Sequence, residues 1–164
     1  MNSKRLYLLI IAVSSVLWGG CRSKTDVSGN YSHKTECLGT EMDGSITVKA
    51  WGNGRNRADA IEQARKNAVS DVIFKGITEG IGGCNFRPVV GEVNARMKYE
   101  SYFDAFFRDR GSFQQFVSTE DEKYSDRFKR DPRMSRHGYT YGVVLRVKRS
   151  ELREKLLSDG IIKQ

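Results

Sequence analysis

The chain of 164 residues has only two histidines and three cysteines, and each scarcity removes a class of chemistry. His33 and His137 stand 104 residues apart, with no second histidine near either, so no zinc site is expected. No Gly-x-Ser-x-Gly elbow occurs, and no Cys–His pair sits in a nucleophile frame. Gly80, Gly82 and Gly83 cluster just before Cys84, but they follow a helical stretch and lack the Gly-Lys-Ser/Thr ending of a phosphate loop. A plain loop is the expected reading. Asp and Glu are numerous but scattered, and a glycosidase-like carboxylate pair stays open on sequence alone. No catalytic residue, cofactor or metal is assigned, and a protein that is not an enzyme is expected. Hydrophobic residues make up 38%, too ordinary a share for disorder or for a multi-pass membrane protein.

What is present begins at the amino terminus. Lys4 and Arg5 form a positive segment, Leu6 to Leu17 an apolar one, and Gly19-Gly20 precede Cys21. That is a secretory signal, too short for a comfortable membrane span. A cysteine directly after small residues resembles a bacterial lipoprotein signal, with residues 1–20 removed and Cys21 lipidated. The usual leucine three residues before the cysteine is replaced by Trp18, with Leu17 one step further out. The alternative is plain secretion, with Cys21 left as a thiol. Residues 21–33 are polar and read as a flexible tether. No acidic cluster follows Cys21, which points to a periplasm-facing position on the outer membrane. The formal charge is +8, or about +6 once Lys4 and Arg5 are subtracted.

Residues 34–164 read as a single α+β domain. Ser45–Trp51 alternates as a strand, and Asp43-Gly44 before it predicts a type I′ hairpin with the run 36–42. Gly52 and Gly54 are read as the turn into a helix capped by Asn56 and ended by Gly76. Ala60, Ile61, Ala64, Ala68, Val69, Val72 and Ile73 form its inward stripe. A second helix is expected over 89–110, with Val93, Met97, Tyr99, Tyr102, Phe103, Phe106 and Phe107 on one stripe. Such a stripe serves as core or, less commonly, as a ligand-stacking platform. A strand is expected over 112–122. Residues 120–137 read as a charged loop or hairpin tip; their six basic and five acidic residues argue against a nucleic-acid patch. Tyr139–Lys148 alternates clearly, and a helix over 151–158, capped by Ser150 and stopped by Asp159-Gly160, closes the chain. The expected architecture is an antiparallel-rich sheet of three to four strands on a long helix, with an extra aromatic helix and a short C-terminal one.

A strand ending in Gly52-x-Gly54, a helix with Ala60, Ala64 and Ala68, and two later strands with a closing helix resemble the Lpp-twenty family of bacterial lipoproteins. The same arrangement is similar to the amino-terminal domain of FlgT, a flagellar basal-body ring protein. The resemblance implies a strand–helix–strand–strand fold and an envelope or assembly role without catalysis.

With Cys21 assigned to lipid, Cys37 and Cys84 remain in an oxidising compartment, and an even remainder favours a disulfide between them. The alternative is two separate thiols. Two roles of different class are expected. One is a scaffold that binds another envelope protein or the cell wall. The other is a ligand-binding lipoprotein gripping a lipid or glycan with Tyr99–Phe107. Exposed rings lining a cleft would favour the second, and buried rings the first.

Overall fold

The computed structural model describes residues 34–81, 84–127 and 139–163. Cys21, the tether, His33 and His137 lie outside them. Five strands form one mixed sheet in the order β3-β1-β2-β5-β4: β1 Glu36–Thr40, β2 Ile46–Gly54, β3 Glu79–Gly80, β4 Val117–Arg127 and β5 Tyr139–Val147. The helices are α1 Arg57–Ser70, which continues through a π-helical turn Asp71–Lys75, then α2 Ala95–Lys98, α3 Glu100–Phe107 and α4 Arg149–Ser158. The fold is α+β, with the sheet packed on the long α1 as expected; the added fifth strand is the short β3.

β2 and β5 pair antiparallel along their whole length, setting Ile46 opposite Val147, Val48 opposite Leu145, Ala50 opposite Val143 and Gly52 opposite Tyr141. Directly opposed residues share a face, and this face is buried against α1. The inward positions of β2 shrink in sequence: Ile46, Val48, Ala50, Gly52, Gly54. α1 therefore closes on β2 toward the strand's end. A Cβ on Gly52 would meet the Ala60 carbonyl, the Ala64 amide and, at 2.9 Å, the Ala64 Cα. Gly52 and Gly54 are thus strand residues under the helix and not the expected turn. Glycine here permits close backbone approach.

On the helix side the expected stripe is confirmed: Ala60, Ala64 and Ala68 are fully buried, with Ile61, Val69, Val72 and Ile73 beside them. The Asn56 side chain accepts from the Asp59 amide at 2.9 Å, the N-cap bond the sequence predicts. Beyond Lys49, where β1 pairing stops, the Asn67 side-chain amide donates to the Trp51 carbonyl at 2.8 Å and ties helix to strand. Enlarging Ala64 or Ala68 to Leu is expected to cost roughly 1–3 kcal/mol each by overpacking. Thermal melts check this, and unchanged melting of both variants would place that face of α1 in solvent.

The outer face of β2 and β5 carries Lys49 with its ammonium 4.9 Å from the Trp51 ring centroid. The Trp51 ring covers Gly142, where an added Cβ would come within 2.7 Å of it.

Several expectations are corrected. The β1–β2 connection is the five-residue loop 41–45. The Glu41 amide donates to the Ser45 carbonyl at 2.9 Å and the Gly44 amide to the Glu41 carbonyl at 3.1 Å, and only Gly44 has positive φ. A type I′ turn would need positive φ at both central residues. The glycine-rich passage is more than a loop, because Glu79–Gly80 pairs parallel with Glu36–Cys37. The helix expected over 89–110 begins only at Ala95, after Asn94 in the left-handed region, and breaks at Tyr99. Val93 and Met97 consequently leave the core and are 84% and 78% exposed. Ser112–Phe116 is a 3-10 helix, and the strand starts at Val117. The first part of the charged segment, through Arg127, is edge strand β4 paired with β5. Residues 128–137 of that segment lie outside the described residues. Ser150 sits within α4, whose N-cap residue is Lys148 with no side-chain cap.

The end of α4 follows the expected stop. Gly160 has φ 71°, its amide donates to the Leu157 carbonyl at 3.1 Å, and the Ile161 amide donates to the Leu156 carbonyl at 2.9 Å. These are the two bonds of a Schellman motif.

Candidate functional site

Two features of the described domain bear on function: the disulfide-tied sheet edge and the aromatic segment.

Cys37 and Cys84 form a disulfide with Cα atoms 5.8 Å apart, closing a sequence separation of 47 residues. Both are buried. The bond sits where β1 meets β3, and the Ile81 amide donates to the Cys37 carbonyl at 3.0 Å beside it. The chain leading into β1 is held by Thr35, whose hydroxyl donates to Asp71 at 2.5 Å, and by Lys34, paired with Glu79 at 2.7 Å. The Lys34 ammonium holds the Glu79 carboxyl below its ordinary range through that hydrogen bond and its charge.

The aromatic segment turns inward. Phe103 and Phe106 are 1% and 2% exposed, while Tyr99, Tyr102 and Phe107 are half-buried against the same core. Phe103 meets Phe74 at the end of α1 edge-on at 4.7 Å between centroids, and Phe106 stacks on Phe116 at 5.9 Å. Phe107 reaches Phe113 at 6.0 Å. The rings bind α3 to α1 and to the 3-10 turn. Phe103 and Phe107 line none of the described grooves, while Tyr102 and Phe106 edge one and Tyr99 another.

At its surface edge the Tyr102 hydroxyl donates to Asp159 at 2.6 Å, and Lys155 pairs with the other Asp159 oxygen at 2.7 Å. Burial, then the bond to Asp159, pushes the Tyr102 phenol above its ordinary range. The Lys155 and Tyr102 bonds hold Asp159 below the usual carboxylate range. A groove of 490 Å³ opens beside this cluster, lined also by Arg108 and Arg110. A larger one of 830 Å³ runs along the exposed side of α1, where cations and carboxylates alternate and Lys66 pairs with Asp109 at 2.6 Å. Another, of 420 Å³, lies between residues 89–99 and residues 161–163.

Among the described residues no group of three or more His, Cys, Asp or Glu side chains is placed to hold a metal ion. No described helix is long and apolar enough to cross a membrane. No family model, curated protein or solved structure matches this chain.

Proposed function

We propose that the protein is a lipoprotein anchored through Cys21 to the outer membrane, facing the periplasm, and acting as a non-catalytic assembly or scaffold module of the cell envelope. The observation that carries the scaffold reading over the ligand-gripping one is the burial of Phe103 and Phe106. The rings best suited to stack on a glycan or lipid are engaged with Phe74 and Phe116. The disulfide supports an oxidising compartment. The order β2, α1, β4, β5 agrees with the strand–helix–strand–strand arrangement that the resemblance to the Lpp-twenty and FlgT domains implies. The partner on this reading is another envelope protein or the cell wall.

The anchor is tested by fractionation. Cys21→Ser is expected to move the protein from membrane pellets to the soluble periplasmic fraction, because a multiply acylated cysteine anchors stably where a bare chain does not. Unchanged pelleting would overturn the lipoprotein assignment. The scaffold role is tested by photo-crosslinking in intact cells from exposed positions on α1, which should yield one discrete adduct with an envelope protein or with cell wall. Its absence from every position on the described surface would overturn that role.

A further inference from the structure

The groove of 490 Å³ is lined by Arg108 and Arg110, from the turn that follows α3, by Lys155 of α4 and by one carboxylate, Asp159. That carboxylate is already met by Lys155 at 2.7 Å and by the Tyr102 hydroxyl at 2.6 Å. Asp109 stands between the two arginines in sequence, yet it pairs with Lys66 of α1 at 2.6 Å and lines the neighbouring groove instead. Among the described residues neither the Arg108 nor the Arg110 guanidinium has a hydrogen-bond or ion-pair partner. The Ser112 hydroxyl and the Gln115 side-chain amide, in the same groove, have none among them either. Two unpaired cations and two neutral donors thus share one opening, and the carboxylate beside them is engaged.

The turn carries the arginines on a constrained backbone. Arg110 has φ 59°, a left-handed conformation that a residue with a Cβ rarely takes. The Gly111 amide donates to the Arg108 carbonyl at 2.8 Å, and a Cβ on Gly111 would run into the Phe106 carbonyl and, at 2.7 Å, the Arg108 carbonyl. The rings at the groove's edge are engaged, Tyr102 stacked on Phe106 at 6.0 Å and Phe106 on Phe116. A sugar or a nucleobase would call for a free ring face. Both guanidinia are exposed and hydrated, so a single compact anion gains little from either. Arg110 also lines the groove along α1, so the two openings share this turn. Several carboxylates on one extended chain suit such a surface, because each contact forms at the high effective concentration set by the one before.

We propose that Arg108 and Arg110 dock an acidic peptide segment of a partner protein, with Ser112 and Gln115 as neutral hydrogen-bonding partners. Guanidinium suits carboxylate because its planar fork meets both oxygens. This names the partner chemistry of the scaffold reading, on which it rests for the presence of such a protein. Crosslinks from α1 test that role separately: adducts there without peptide binding here would overturn the groove assignment alone.

The full chain is held in a nonionic detergent, which accommodates any acyl anchor. Fluorescein-labelled hexaglutamate and hexaglutamine peptides are titrated with it, and their anisotropy is followed. Saturable binding of hexaglutamate alone is expected, lost at about 1 M salt, where the Debye length is about 3 Å. Arg108→Gln should weaken it by about fivefold, the scale of one exposed ion pair. Arg110→Gly should weaken it as much while the protein keeps its melting temperature, since glycine takes a positive φ without strain. Arg153→Gln, exposed on α4 and outside the groove, should leave binding unchanged. Lowered melting of Arg110→Gly with binding intact would make the turn a device for ending α3 and overturn the site. Equal binding of hexaglutamine would overturn the charge recognition. Inorganic phosphate competing as well, mole for mole, as unlabelled hexaglutamate would make this a small-anion site and overturn the peptide assignment. Cosedimentation with isolated cell wall that needs Arg108, without peptide binding, would give the groove to the wall instead. Absence of saturable peptide binding would overturn the proposal.

Discussion

Gly52→Ala is expected to cost at least about 3 kcal/mol, a large part of the roughly 5–15 kcal/mol that holds a domain of this size together. The added methyl would face the Ala60 carbonyl, the Ala64 amide and the Ala64 Cα, all backbone atoms of α1. A side chain in the way can rotate aside, but helix backbone cannot. The N-terminal half of α1 would have to lift off the sheet, opening the contact that buries Ala60 and Ala64 against Gly52 and Tyr141. Gly91→Ala is the matched control, because nothing lies within 4 Å of its added Cβ. That variant should stay within about 0.5 kcal/mol of the parent. Urea unfolding of the two variants checks both values. If Gly52→Ala melted with the wild type, α1 would not lie against β2 at this point, and the graded inward series could not be what sets their approach.

That same series shows where the sequence was readable and where it misled. Ile46, Val48 and Ala50 alternate, so the strand was legible from them. Gly52 and Gly54 keep the same parity, but glycine after an alternating run more often punctuates than continues, and a turn was the natural reading. The signal was the falling side-chain size, which has meaning only once a helix is known to descend on the strand. α1, β5 and the inner stripe of α4 were legible because their periods are strong and their apolar faces lie against the core.

The errors have separate causes. Phe113 and Phe116 stand three apart, a helical step that outweighs the strand-like apolar content of the segment. Val93 and Met97 continue the aromatic spacing of α3, yet the left-handed Asn94 and the break at Tyr99 take them out of phase with it. β3 is two residues long and owes its place to its pairing with β1 beside the disulfide, which no local pattern announces. The disulfide, by contrast, followed from counting cysteines.

Opening the Cys37–Cys84 bond is expected to destabilise the domain by about 4 kcal/mol in the chain-entropy picture, given a separation of 47 residues. Most of that effect belongs to the unfolded chain, which gains freedom when the loop is released. The folded state loses little packing, because both sulfurs stay buried among apolar neighbours as thiols. Reduction is therefore a cleaner test than Cys→Ser, which would add buried hydroxyls with a cost of their own. Denaturant midpoints of the oxidised and reduced protein should differ with similar slopes. Hydrogen exchange should locate the remaining, local part of the effect. Amides of Glu36–Thr40 and Ile77–Ile81 are expected to lose protection first. There β3 has only two residues of pairing to hold it, and the isolated bridge between Ile77 and Phe86 is the next tie along the chain. Amides of β2 and β5 should keep theirs, since they pair with each other over nine residues under α1. Coincident midpoints would mean that the unfolded chain is already compact around this loop, so that the bond removes no freedom. Equal loss of protection across β2 and β5 would mean instead that the edge and the centre of the sheet open as one unit.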